Sequence, residues 1–272
     1  MVSERWLLPP LWFDLCWEIG GFDEYPFPVA VRSHGATLEE RAVIKQRAIP
    51  EMEAAGVIGG GYLNPRLGQV LAQVAKPGLW IEGLWTADEV NPSPVRLMSI
   101  VAEDASILFV QGPGETERHG GDVQITVQPK TPITAAVLPG MPPTPPGNRS
   151  RIAVPRSALA PENGDDEDFD EVDLMQPKQT SPDERNANAF KEIVEAEHLR
   201  DGQFTANMRD RVGRSHRSAP LKWFDAFEPD GRYGITEEQL PGKEPELVVA
   251  PLGPTEIRAA LDNRVQQIRS GD

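Results

Sequence analysis

At Leu79 the hydrophobic pattern changes period from 3.6 to 2, and this switch constrains the fold more than any other feature of the chain. Beyond it, residues 79–85, 95–102, 107–111, 123–127 and 133–138 read as five strands. In the fourth, Val123, Ile125 and Val127 alternate with Gln124 and Thr126 without a fault. The connections are short, Glu103 with Asp104 in one case and residues 112–121 in another, so the neighbours should be antiparallel. Before the switch the spacing is helical. Leu11, Trp12, Leu15, Cys16 and Ile19 share one face of a helix over 10–19 that Gly20 and Gly21 end. Pro26 and Pro28 force residues 25–31 to be extended. Thr37 and Glu40 form a capping box that opens a helix toward Gly56, in which Pro50 should introduce a kink or an early end. Asn64 caps a third helix with Pro65 in its first position and Leu67, Val70, Leu71 and Val74 as its buried stripe.

The second half starts from composition. Residues 139–146 hold five prolines, and residues 162–173 hold eight acids and no base, which leaves too little apolar surface to offset ordering entropy. Residues 139–181 therefore read as a flexible acidic linker, within which 152–159 can dock as an edge strand. A second capping box, Ser181 with Glu184, opens a helix through Phe190, Ile193 and Val194 to Leu199. Strands follow at 204–209, 221–225, 232–236 and 247–250, and a last helix from Pro254 puts Ile257, Ala260, Leu261, Val265 and Ile268 on one face. The expectation is an α+β fold divided into 1–138, the linker 139–181, and 182–272.

Charge and motifs narrow the function. With 42 acids against 27 Lys and Arg the net charge is −15, a field that repels nucleic acid and anionic lipid. The apolar N-terminus is interrupted by Pro9, Pro10, Asp14 and Glu18, and no stretch approaches a membrane span, so a cytoplasmic protein without membrane insertion is expected. The lone Cys16 forms no internal disulfide and lies on the apolar face of the first helix. Gly59, Gly60 and Gly61 lack the Lys and Ser/Thr of a phosphate loop and read as a tight turn. His34, His119, His198 and His216 lack ligand spacing. No catalytic, cofactor or metal residue is expected. One dense basic run remains, Arg209, Asp210, Arg211, Val212, Gly213, Arg214, Ser215, His216, Arg217, which reads as the tip of a hairpin. It is either a solvated turn or a charged rim for an acidic partner. Six tryptophans (Trp6, Trp12, Trp17, Trp80, Trp85 and Trp223) are core residues by default and anchors for a partner where exposed.

Two groups of residues carry a family resemblance. The run Ser33, His34, Gly35, Ala36, Thr37, Leu38, Glu39, Glu40, Arg41, Ala42, followed by Gly56, Val57 and the helix after Leu63, resembles the N-terminal half of the EspG family of type VII (ESX) secretion-associated proteins of actinobacteria. Gly202, Gln203, Phe204, then Arg209, Asp210, Arg211, then Trp223, Phe224, Asp225 and Gly231, Arg232, Tyr233 resemble its C-terminal half. The resemblance implies a central antiparallel sheet flanked by helices in two quasi-symmetric subdomains. It also implies a non-enzymatic cytosolic chaperone that binds the helical tip of secreted PE/PPE-like or WXG-type proteins. Phe204, Arg209, Arg211, Arg214, Arg217 and Trp223 are the candidate partner-binding residues. A hydrolase with an unmarked carboxylate pair, or a structural subunit of an assembly, stays open as the alternative.

Overall fold

A computed structural model of the chain describes residues 4–86, 91–159, 181–239 and 241–271. In chain order its elements are β1 (Glu4–Leu8), α1 (Pro10–Ile19), α2 (Leu38–Ala54), β2 (Ile58–Gly59), β3 (Tyr62–Leu63), α3 (Pro65–Ala75), β4 (Leu79–Trp85), β5 (Val95–Val101), β6 (Ala105–Thr116), β7 (His119–Pro129) and α4 (Ile133–Ala136). They continue with β8 (Ile152–Pro155), α5 (Pro182–Val194), β9 (His198–Arg209), β10 (Ser215–Arg217), β11 (Leu221–Ala226), β12 (Arg232–Glu238), β13 (Glu246–Pro251) and α6 (Pro254–Ser270). The fold is α+β, with antiparallel strands flanked by helices. Contacts group the chain into two compact units, residues 1–143 with 199–221 and 254–272, and residues 144–198 with 222–253. Division at 138 and 181 does not follow this grouping, because β-pairing and helix packing draw β9 and α6 back to the first unit.

In the first unit the meander β4–β5–β6–β7 is extended by β1 beside β7 and by β9 beside β4, every pair antiparallel. The period of 2 sorts side chains between the faces. Trp80, Met98, Ile100, Ile107, Phe109 and Ile125 face α1, α2 and α3 in one core. On the other face Gly140 sits against Leu97, Leu108 and Val110, and Ser99 Oγ donates to the Ile133 carbonyl at 2.8 Å. That contact corrects the strand expected over 133–138. With β6 and β7 already paired, Ile133–Ala136 form the short helix α4, which covers the sheet. The capping box at Thr37 is present, yet α2 runs through Pro50 to Ala54 rather than stopping there. Asn64 caps α3, whose stripe Leu67, Val70, Leu71 and Val74 is buried as expected.

The second unit packs α5 on the sheet β11–β12–β13–β8. Phe224, Tyr233, Val249 and Val154, one per strand, meet Ala187, Phe190 and Ile193 of the helix in a core. The capping box Ser181 with Glu184 is present, and α5 ends at Val194, so that the chain is already a strand by Leu199. Residues 152–155 dock as the edge strand β8, paired with β13. The flexible linker expected over 139–181 is corrected for 139–159, which are ordered. The Pro145 carbonyl accepts from Arg232 N at 2.8 Å, Gly147 N donates to the Arg232 carbonyl at 2.8 Å, and a Cβ on Gly147 would enter the Tyr233 ring. Consecutive prolines arrive extended, so little entropy is lost when their carbonyls meet β12. The acidic run 162–173 lies outside the described residues.

Candidate functional site

The basic run forms the hairpin β9–β10 of the first unit, with Ser215 opposite Arg209 and Arg217 opposite Asn207. Asp210 builds its turn. Its Oδ1 accepts from the N–H groups of Val212 at 3.0 Å and Arg214 at 2.8 Å, and its own N–H donates to the Arg214 carbonyl at 2.9 Å. Desolvation would raise the Asp210 carboxyl, but these N–H groups and the His216 ring, 3.4 Å away, hold it below its ordinary value. Gly213 takes φ 84°, a left-handed conformation that the turn requires and that glycine adopts without cost.

The four arginines fall into two pairs. Register places Arg209 and Arg217 on one face of the hairpin. There the Arg209 guanidinium lies 6.0 Å from the Trp80 ring centroid, and Arg217 Nη2 stands 2.6 Å from Glu82 Oε1. Glu82 is buried, and burial pushes its carboxyl up against the opposing pull of Arg217. These two side chains tie the hairpin to β4. Arg211 and Arg214 belong to the turn, are exposed, and flank Val212, which is 76% exposed. Sequence reasoning alone misses Val212 and the Glu82 anchor. An apolar residue between two arginines at a turn was the available signal for the first, while the second depends on pairing across the sheet.

The two aromatic candidates do not join this surface. Phe204 is fully buried against Trp85, in the space that Gly83 leaves by lacking a side chain. Trp223, in the second unit, is 1% exposed and lies under the Arg232 guanidinium at 4.6 Å. Both are core side chains, so the expectation that they anchor a partner is corrected to a packing role.

Two of the segments that carry the family resemblance take part in buried ion pairs. Asp14 of α1 is buried and accepts from Tyr25 Oη at 3.1 Å, from His34 N at 3.2 Å and from Arg41 of α2. Arg41 also donates to the His34 carbonyl at 2.9 Å and to Glu18 Oε2 at 2.7 Å. Burial would raise the Asp14 carboxyl, but the Arg41 and His34 donors hold it below its ordinary value. In the second unit Arg232 Nε and Nη2 donate to the two oxygens of Asp225 at 2.6 and 3.0 Å, and Thr144 Oγ1 donates to Asp225 Oδ2 at 3.0 Å.

Burial pushes the Cys16 thiol up to about 12, which removes it as a nucleophile at neutral pH. Among the described residues no group of three His, Cys, Asp or Glu is placed to hold a metal, and no helix is long and apolar enough to cross a membrane.

The hairpin β9–β10 thus presents an exposed turn that carries Arg211, Val212 and Arg214, held in shape by Asp210. The EspG family model matches residues 9–263, and the chain belongs to the EspG family. Among solved structures it is similar to the type VII secretion system chaperone EspG5 of Mycobacterium tuberculosis, solved in complex with the PE25–PPE41 dimer. That match has 13% identity, a TM-score of 0.59, and covers 97% of this chain and 96% of EspG5. No curated protein matches the sequence significantly.

Proposed function

We propose that this chain is a cytosolic, non-enzymatic chaperone of a type VII secretion system, which binds the tip of a secreted helical protein of PE/PPE or WXG type and keeps it soluble for delivery. The observation that carries this reading is the family match over residues 9–263, together with a fold shared end to end with EspG5. The physical requirement is simple. A secreted helical bundle exposes apolar side chains and unsatisfied backbone carbonyls at the turn between its helices, and a soluble cover must supply apolar contact and hydrogen-bond donors there. No bond is made or broken in that task, so no nucleophile or metal is needed.

The test is co-expression with the PE/PPE-type and WXG-type proteins of its own genome, followed by size-exclusion chromatography with light scattering. A stable complex of defined stoichiometry is expected, with the cargo aggregating when expressed alone. Cargo that stays soluble alone and never comigrates with this chain would overturn the reading.

A further inference from the structure

Resting on the chaperone reading, the geometry points to the turn of β9–β10 as the element that grips cargo, with Arg211 and Arg214 as the specificity-determining side chains and Val212 as the apolar contact between them. The occupant we assign is an acidic helical tip, a helix–turn–helix end whose carboxylates frame an apolar side chain.

Three observations carry this. First, the run 209–217 holds four arginines and one aspartate in a chain of net charge −15, so an acidic partner repelled by the rest of the surface is attracted here. Second, the structure divides those arginines by task. Arg209 and Arg217 are occupied by Trp80 and Glu82, whereas Arg211 and Arg214 are exposed in the turn. Third, the turn is held in shape before any partner arrives, by the Asp210 carboxylate bonded to the N–H groups of Val212 and Arg214. A preorganised turn loses little backbone entropy on binding. It also presents an apolar side chain, 76% exposed, that the fold gains nothing by exposing.

The chemistry of the tip fits. A helix C-terminus leaves up to four carbonyls without intrahelical partners and carries partial negative charge, and carboxylates nearby add to it. Guanidinium groups present planar forks that bind such oxygens in pairs, which lysines would not match. Val212, between the two forks, excludes water from the centre of the contact.

The experiment compares four proteins against the cargo identified by co-expression, using surface plasmon resonance at low and high salt. They are the wild type, Arg211→Glu with Arg214→Glu, Val212→Ser, and a control with the same change in net charge at two exposed helix positions, Arg47→Glu with Arg185→Glu. Melting temperatures verify that each is folded. The expected result is a slower association rate and a dissociation constant raised about tenfold or more for the double reversal, with most of the loss appearing at low salt. Val212→Ser should raise the dissociation rate about threefold to tenfold, and the control should bind like the wild type. Changing the acids of the cargo tip to amides should reproduce the loss, and restoring charge complementarity by pairing basic tip variants with the Glu variant should recover binding. Unchanged affinity of the double reversal at low salt, or an equal loss in the control, would overturn the assignment of the hairpin while leaving the chaperone reading intact. Failure of the wild type to form any complex would instead overturn that reading, and the assigned occupant with it.

Discussion

Two hairpins of this protein set arginine beside aspartate and put the pair to opposite uses. On β11–β12, Arg232 is 3% exposed and Asp225 fully buried. The guanidinium lies over Trp223, and the proline run 144–147 is strapped across it. On β9–β10, Asp210 spends its carboxylate on backbone N–H groups of the turn, and the neighbouring Arg211 and Arg214 are left facing solvent. The lesson is that cover, not residue type, decides the role. A buried pair is costly to break because each removal strands a charge away from water. An exposed arginine is worth almost nothing to the fold and is free to serve a partner.

The largest expected effect tests the buried side of this contrast. Asp225→Ala should lower unfolding free energy in urea by about 3 to 5 kcal/mol, because Arg232 is left desolvated without its carboxylate. A loss below about 1 kcal/mol would mean that the pair is not the lock described. Next comes the strap itself: Gly147→Ala places a methyl group in the Tyr233 ring and should cost about 1 to 3 kcal/mol. If this change is silent in thermal melts, residues 144–147 are not held against β12 as described.

The lock of the first unit is expected to be smaller and to depend on pH. The folded Asp14 carboxyl sits below its ordinary value, so its contribution is fully present above the unfolded pKa of about 3.9 and disappears as pH falls through the lower folded value. Asp14→Asn should cost about 1 to 2 kcal/mol at pH 7 and nearly nothing at the bottom of the acid limb. Equal losses at pH 7 and at strongly acidic pH would remove the charge from the explanation.

Glu82 has the reverse sign. Burial raises its carboxyl in the fold, so the ionised form weighs against stability once pH rises above the unfolded carboxylate range. Arg217→Ala should therefore cost about 1 kcal/mol at pH 7, less at pH 4, and Glu82→Gln in that background should recover much of it. The smallest effect completes the contrast. Reversing Arg211 and Arg214 to Glu should change unfolding free energy by no more than about 0.5 kcal/mol, since both lie on an exposed turn. A large loss would place them among the structural arginines.

Much of this architecture is legible along the chain. The helix 10–19 has the bounds that its sequence signals, because Pro10 opens it, Gly20 follows it and the apolar face between them is continuous. The strands β4 and β5, the two capping boxes and the hairpin around Gly213 carry the same kind of local signal. The misses have physical reasons. The strand β1 is five residues long and runs into Pro9 and Pro10, so its pairing with β7, more than a hundred positions away, left no local mark. Residues 133–138 carry β-branched residues that favour a strand, but their place over a sheet already paired in-plane made them a short helix. The proline run looked like a linker because its composition lacks apolar surface. It is held by carbonyls, which composition does not display.

The candidate site divides in the same way. Its charge is plain in the sequence, and so is its turn, since Asp210 and Gly213 are the residues such a turn demands. Which arginines it leaves free is not. That depends on Trp80 and Glu82 standing opposite Arg209 and Arg217, more than a hundred positions earlier in the chain.

By itself, then, the sequence determined the period of most elements, the capped starts of its helices, the balance of charge and the family resemblance, because these are carried by residue types and their spacing along the chain. Only the tertiary structure decided that Asp14 meets Arg41, that the prolines lie along β12, that Phe204 and Trp223 are core, and that Arg211 and Arg214 are not consumed by the fold. Those outcomes require the chain to close on itself, and burial then fixes whether a charge must be paired or is left to solvent.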